Sequence, residues 1–297
     1  MRIVPAPARR VRGFVCLVTH ALFTLALSTS SVGAHDLWLV AGKYRLAPGE
    51  LTRVFINSGD RFPESLSLVA ELRLATVELH GPLETRRISA FRVDGKSLSF
   101  DLEGTAIGSH VLALGTRPRR VRLKAEDFQD YLEENGLEHI LALRDELGEN
   151  EDATVERYSK WAKATIDVTD GAPESEENSD VDMEPSWSKP VGHRIEIVPS
   201  RNPNRVQPGE ELEVQLLYEG EPLAEMPIFG GKAGGPRGEI KTKTDGTGKA
   251  VVTIPSDGRW YLSSIHLVRV DDDPQISWES FWCTLTFEVE ERDERIP

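Results

Sequence analysis

Three residues far apart in the sequence could hold a transition metal: His35, His266 and Glu279. An apolar leader closes on Val32-Gly33-Ala34, the small-residue pattern of a signal-peptidase site, so cleavage after Ala34 would make His35 the first residue of the mature chain. An amino-terminal His is unusual because its amine and its ring Nδ1 can chelate one ion. A second imidazole then completes a three-nitrogen brace that suits Cu²⁺. The α-amine titrates near pH 8, so a metal can displace its proton at neutral pH. Strand parity supplies the partners. His266 shares a face with Trp260, Leu262 and Val268, and Glu279 with Phe281, Cys283 and Leu285. Both polar groups thus fall on faces expected to be buried, where each needs a partner. Two solutions stay open: a structural pair in which Glu279 accepts from His266, or a metal held by His35 and His266 with Glu279 as ligand or anchor. His80, His110, His139 and His193 lack a second His or Cys at ligand spacing and read as ordinary surface or core groups.

Other chemistries find little support. There is no G-x-S-x-G elbow, H-E-x-x-H, C-x-x-C, P-loop or EF-hand spacing. Asp271-Asp272-Asp273 reads as a polar turn, since Ca²⁺ demands more oxygens than this run offers. Trp260, Trp278 and Trp282 with Tyr261 could stack on sugars or fill a core. The chain has 297 residues, with 49 acidic and 35 basic side chains and a formal net charge of -14. That balance excludes a nucleic-acid binder and an anionic membrane face as partners.

The elements that must position these residues follow from the patterning. Residues 1–34 carry a basic start (Arg2, Arg9, Arg10, Arg12) and an apolar run too short to span a bilayer, which predicts a cleaved signal and a periplasmic or secreted protein with no membrane insertion afterwards. Losing those four arginines and no acid takes the charge from -14 to -18, and Cys16 leaves too, so Cys283 has no intrachain partner. Residues 35–124 read as short strands between Gly, Pro and Asn/Asp turns. Residues 125–169 read as helical: one helix stopped by Asn135-Gly136, a second stopped by Gly148, a third over about 153–164. Residues 170–190 form an acidic, Pro/Ser-rich linker, and 191–291 a second β region ahead of a tail at 292–297. The expected fold is mainly β, two antiparallel β-sandwich domains of immunoglobulin- or transthyretin-like type joined by a short helical insert and the acidic linker.

Several ordered motifs add to this. His35-Asp36-Leu37-Trp38-Leu39, Glu156-Arg157-Tyr158-Ser159-Lys160-Trp161, Ile195-Glu196-Ile197-Val198-Pro199, Gly220-Glu221-Pro222-Leu223-Ala224 and Trp278-Glu279-Ser280-Phe281-Trp282 together resemble the exported domain-of-unknown-function 4198 family. Its members are often labelled periplasmic components of nickel or cobalt uptake. The resemblance implies a periplasmic, two-part β-rich protein that handles Ni²⁺, Co²⁺ or Cu²⁺, with a membrane metal-uptake system as partner and no organic cofactor. It carries over His35, Tyr158, His266 and Glu279 as site residues and implies no reaction. The rival is a non-catalytic cell-envelope module that binds protein or glycan.

Overall fold

A computed structural model describes Met1, residues 35–171 and residues 185–291. The expected signal segment, most of the expected acidic linker and the tail therefore lie outside the described residues. The first half contains β1 (Asp36–Ala41), β2 (Arg45–Leu46), β3 (Leu51–Gly59), β4 (Leu74–His80), β5 (Thr85–Arg87), β6 (Arg92–Asp94), β7 (Ser97–Glu103), β8 (Gly108–Thr116) and β9 (Arg119–Leu123). Two helices follow, α1 (Ala125–Glu134) and α2 (Glu138–Glu146), and then β10 (Thr154–Val168). The second half contains β11 (Ile195–Pro199), β12 (Glu211–Tyr218), β13 (Glu221–Pro222), β14 (Pro227–Lys232), β15 (Ile240–Lys243), β16 (Lys249–Thr253), β17 (Gly258–Arg269) and β18 (Trp278–Val289). The protein is mainly β, with several antiparallel sheets.

The alternation that marks strands in the sequence appears as burial. In β12, Leu212, Val214 and Leu216 point into the core, while Glu211 is exposed and Glu213 and Gln215 are partly exposed. Positive-φ glycines end both helices as expected, Gly136 at +64° and Gly148 at +69°. Arg144, the polar member of the α2 stripe, is buried. It donates to Thr154 Oγ1 at 2.8 Å and to the Glu149 carbonyl, and its guanidinium lies 4.8 Å over the Phe128 ring.

The third expected helix is instead β10. Its residues include Thr154, Val155, Tyr158, Trp161, Thr165, Ile166 and Val168, the β-branched and aromatic types that fit a pleated surface. The strand is hydrogen-bonded on both sides: parallel to β18 on one, antiparallel to β9 and then β8 on the other. Partners on both edges outweigh the weak helical preference of the segment.

This strand also changes how the two halves relate. Ten strands from both form one sheet in the order β15-β14-β17-β18-β10-β8-β4-β5, with β2 and β9 also paired to β10. A sheet of β1, β3, β7 and β6 supplies the other wall of the N-terminal core, where Leu39, Ile56 and Phe100 meet Leu112, Leu114 and Ile166. A sheet of β11, β12, β13 and β16, with the two helices, covers the C-terminal core around Trp260, Trp278 and Phe287. The described residues between 35 and 291 accordingly form one compact unit, with two cores built on a shared sheet.

The tryptophans are core residues rather than a sugar platform: Trp260 and Trp278 are 0% exposed and Trp282 4%. Cys283 is buried beside them, and burial pushes its thiol up to about 12, which suppresses the reactive thiolate.

Candidate functional site

The β10–β18 ladder decides where the candidate residues go. Paired residues share a face, and neighbours along a strand alternate. Tyr158 is opposite Ser280 and Lys160 opposite Trp282 on one face; Arg157 is opposite Glu279 and Ser159 opposite Phe281 on the other. In the β17–β18 ladder His266 is opposite Phe281, so it joins the Glu279 face. The backbone carbonyl of His35 accepts from Lys160 Nζ, which ties His35 to the Tyr158 face. The structure thus brings His35 near Tyr158, and His266 near Glu279, with the thickness of the sheet between the two pairs. Among the described residues no group of three or more His, Cys, Asp or Glu side chains is arranged to hold a metal ion.

The Tyr158 face is a buried network. Trp282 Nε1 donates to Ser280 Oγ at 3.0 Å, and Ser280 donates in turn to Glu156 Oε1. Tyr131 from α1 stacks on Trp282, with ring centroids 5.6 Å apart and planes 7° apart. Lys160 Nζ sits 4.8 Å over the Trp282 ring and 5.5 Å over that of Tyr158. Burial is the dominant influence on both charges. It pushes Glu156 up to about 7, against the pull of Ser280 and Lys160, and brings Lys160 down to about 8, against Asp36 and Glu156. Asp36 is also raised by burial, its nearest cation being Arg237 Nη2 at 3.8 Å. At the edge of this face His35 Nδ1 lies 2.5 Å from Asp60 Oδ1.

The opposite face holds its charges in close ion pairs. Arg157 grips Glu279 with two donors, Nε to Oε1 at 3.0 Å and Nη2 to Oε2 at 2.8 Å, and Arg194 Nη1 stands 3.8 Å from the same carboxylate. The expected Glu279–His266 pair does not form: the ladder sets Glu279 opposite Val268, two residues from His266, and Arg157 takes the carboxylate. His266 packs instead on Tyr218, centroid to centroid 4.6 Å, and its sealed Nδ1 has no hydrogen-bond partner. Burial, with a small contribution from nearby His139, brings its imidazole down to about 4. Deeper on this face Lys163 donates to Glu196 at 2.8 Å, both side chains at most 3% exposed, and the Val191 and Gly192 amides also donate to Glu196.

Lys160, Glu156, Arg157 and Arg194 were missed by the sequence reading. For Glu156, Arg157 and Lys160 the signal was the period-2 pattern of 154–168, which is visible only once that segment is read as a strand; Arg194 lies outside it.

Two cores packed on one shared sheet define the class, a mainly β protein of sandwich type. Within it, the chain belongs to the family described as a domain of unknown function (DUF4198), whose model matches residues 32–267. That description assigns no activity. No curated protein matches the sequence. Among solved structures, the D0-D1 domain of intimin is similar at 14% identity, covering 86% of this chain and 99% of that one, with a TM-score of 0.22. The Yersinia pseudotuberculosis adhesin InvE is similar at 12% identity, covering 85% and 60%, with a TM-score of 0.23. The Escherichia coli adhesin FdeC is similar at 11% identity, covering 88% and 65%, also with a TM-score of 0.23. The chain spans less than two thirds of the last two. Scores this low carry no argument about function. Among the described residues no helix is long and apolar enough to cross a membrane.

Proposed function

We propose that the protein is an exported, non-catalytic binding module of the cell envelope, periplasmic or secreted, whose ligand is a protein or a glycan. The observation that supports this reading is the commitment of its candidate donors to the fold. Glu279 is gripped by Arg157, His35 and Tyr158 are separated from His266 by the sheet, and Glu156 is spent on Ser280. Side chains used in this way stiffen a scaffold and leave recognition to its surface. Binding of the purified protein to arrays of envelope proteins and glycans tests it. Binding that survives EDTA and the His266→Ala change is expected; binding abolished by EDTA would overturn the reading.

A second reading keeps a metal but changes its ligands. It is favoured by the 2.5 Å approach of Asp60 Oδ1 to His35 Nδ1. If cleavage after Ala34 frees the His35 amine, then amine, imidazole and the Asp60 carboxylate are three donors on one edge, suited to passing Ni²⁺, Co²⁺ or Cu²⁺ to a membrane uptake system. Mass spectrometry of the mature amino terminus and a Cu²⁺ titration test it. A mature chain that starts elsewhere removes it.

A further inference from the structure

At the outer edge of the ten-stranded sheet, on the same side as the Tyr158 face, sits a cation with no counterion among the described residues. β5 is three residues long, and its middle residue, Arg86, is opposite Leu79 of β4. Leu79 is buried in the N-terminal core, and cross-strand partners share a face, so Arg86 turns inward while Thr85 and Arg87 are exposed. Leu79 is in turn opposite Leu112 of β8, which puts His110, two residues earlier, on this same face.

Arg86 and His110 line a cavity of about 270 Å³ together with Thr105 and the apolar Leu79, Pro82 and Ala106. Two glycines let the turn after β4 close over it. A Cβ on Gly81 would meet His110 Cδ2 at 2.9 Å, and Gly108, at φ +123°, brings its Cα against Pro82, whose Cγ a Cβ would meet at 2.8 Å. The Nε and Nη2 of Arg86 are sealed from solvent and have no hydrogen-bond partner. No carboxylate lies within ion-pair distance of Arg86 among the described residues. Two sealed guanidinium donors without an acceptor are costly, and such groups in a folded protein call for an explanation, commonly a missing ion or ligand.

We propose that this cavity is a binding site for a small organic monocarboxylate, with Arg86 receiving the carboxylate and Leu79, Pro82 and Ala106 packing on its apolar body. Planar, forked guanidinium donors match a carboxylate. Glu84 at the rim disfavours a second negative charge on the ligand. The cavity is near the small end of ligand sites, which suits a compact acid. His110 donates from Nδ1 toward the Gly108 carbonyl at 3.2 Å, which leaves Nε2 as an acceptor and orients the ring at the cavity wall.

Isobutyrate, isobutyramide and inorganic phosphate, titrated into the full mature protein, provide the test. Isobutyrate is expected to raise Tm and to move the Arg86 Nε–H resonance in ¹H–¹⁵N spectra, while the neutral amide and phosphate do neither. Arg86→Met is expected to weaken isobutyrate binding at least about tenfold and to raise Tm without ligand, because it removes an unpaired charge from an apolar wall. An isobutyrate response retained in Arg86→Met, an equal response to the amide or to phosphate, or an unmoved Arg86 resonance in the wild type would overturn the assignment. The resonance readout needs no variant to fold. Array binding by the whole module is a separate observable, so failure of the one reading is distinguishable from failure of the other.

Discussion

The two faces of β10 carry similar numbers of buried charges and handle them differently. On the Glu279 face Glu279 meets Arg157 and Glu196 meets Lys163 head-on, while Asp167 accepts from the Asn202 amide with Arg205 Nε 3.4 Å away. On the Tyr158 face Glu156 meets a hydroxyl and Lys160 a backbone carbonyl and two aromatic rings. The lesson is that partner type decides what burial does. A buried charge given a counterion becomes a structural cross-link that is expensive to break. A buried charge given only neutral partners is pushed toward its uncharged form, as Glu156 and Lys160 are, and becomes sensitive to pH near neutrality.

The largest expected effect breaks the paired face. Lys163→Met leaves Glu196 buried without its cation and should cost about 3–5 kcal/mol in urea unfolding at pH 7. A loss below about 1 kcal/mol would mean that the pair is not the cross-link described. On the other face Glu156→Gln should act in the opposite sense. The folded carboxyl titrates at about 7, above its ordinary value near 4.5, so the folded state binds the extra proton between these values. Its stabilisation is therefore present below pH 4.5 and lost as pH rises through 7. Glu156→Gln should remove that loss, gaining on the order of 2–3 kcal/mol on the wild type at pH 8 relative to pH 5. Equal pH dependence in both proteins would break the comparison.

Lys160→Met gives a smaller change in a different window. The folded ammonium titrates at about 8 rather than 10.5, so the unfolded chain binds more protons between these values and the wild type gains stability as pH rises from 8 to 10.5. The Met variant should lack that rise and lose about 1 kcal/mol at pH 9 for the missing bond to the His35 carbonyl. His266→Phe should be nearly neutral at pH 7. It should stabilise modestly as pH falls from 6.5 toward 4, where a charged imidazole is acceptable only in the unfolded chain. Glu156 and His266 oppose each other in this acid range, so the single variants, rather than the wild-type profile, separate them.

Much of this architecture was legible in the residues. Alternation in 211–218, the turn glycines and the helix stops at Asn135-Gly136 and Gly148 each mark a local choice that the fold kept. The strand at 154–168 was not, because its identity depends on two neighbours more than 30 residues away in one direction and more than 100 in the other. Missing it hid the site as well. Parity within β17 and β18 puts His266 and Glu279 each on a face expected to be buried, where Glu279 is buried and His266 half-buried, but only β10 between them and His35 reveals that His35 is on the other side and that Arg157 is the partner Glu279 needed. A buried acid can be inferred from one strand, whereas its partner requires the sheet.

The central claim is that His35 and His266, being on opposite faces of one sheet, cannot serve one centre. Calorimetric titration of Cu²⁺ and Ni²⁺ into the mature protein and its His35→Ala and His266→Phe variants tests this directly. Metal binding that is unaffected by His266→Phe, whether or not His35→Ala changes it, is the expected result. Stoichiometric binding in the wild type that is lost equally in both variants would contradict it.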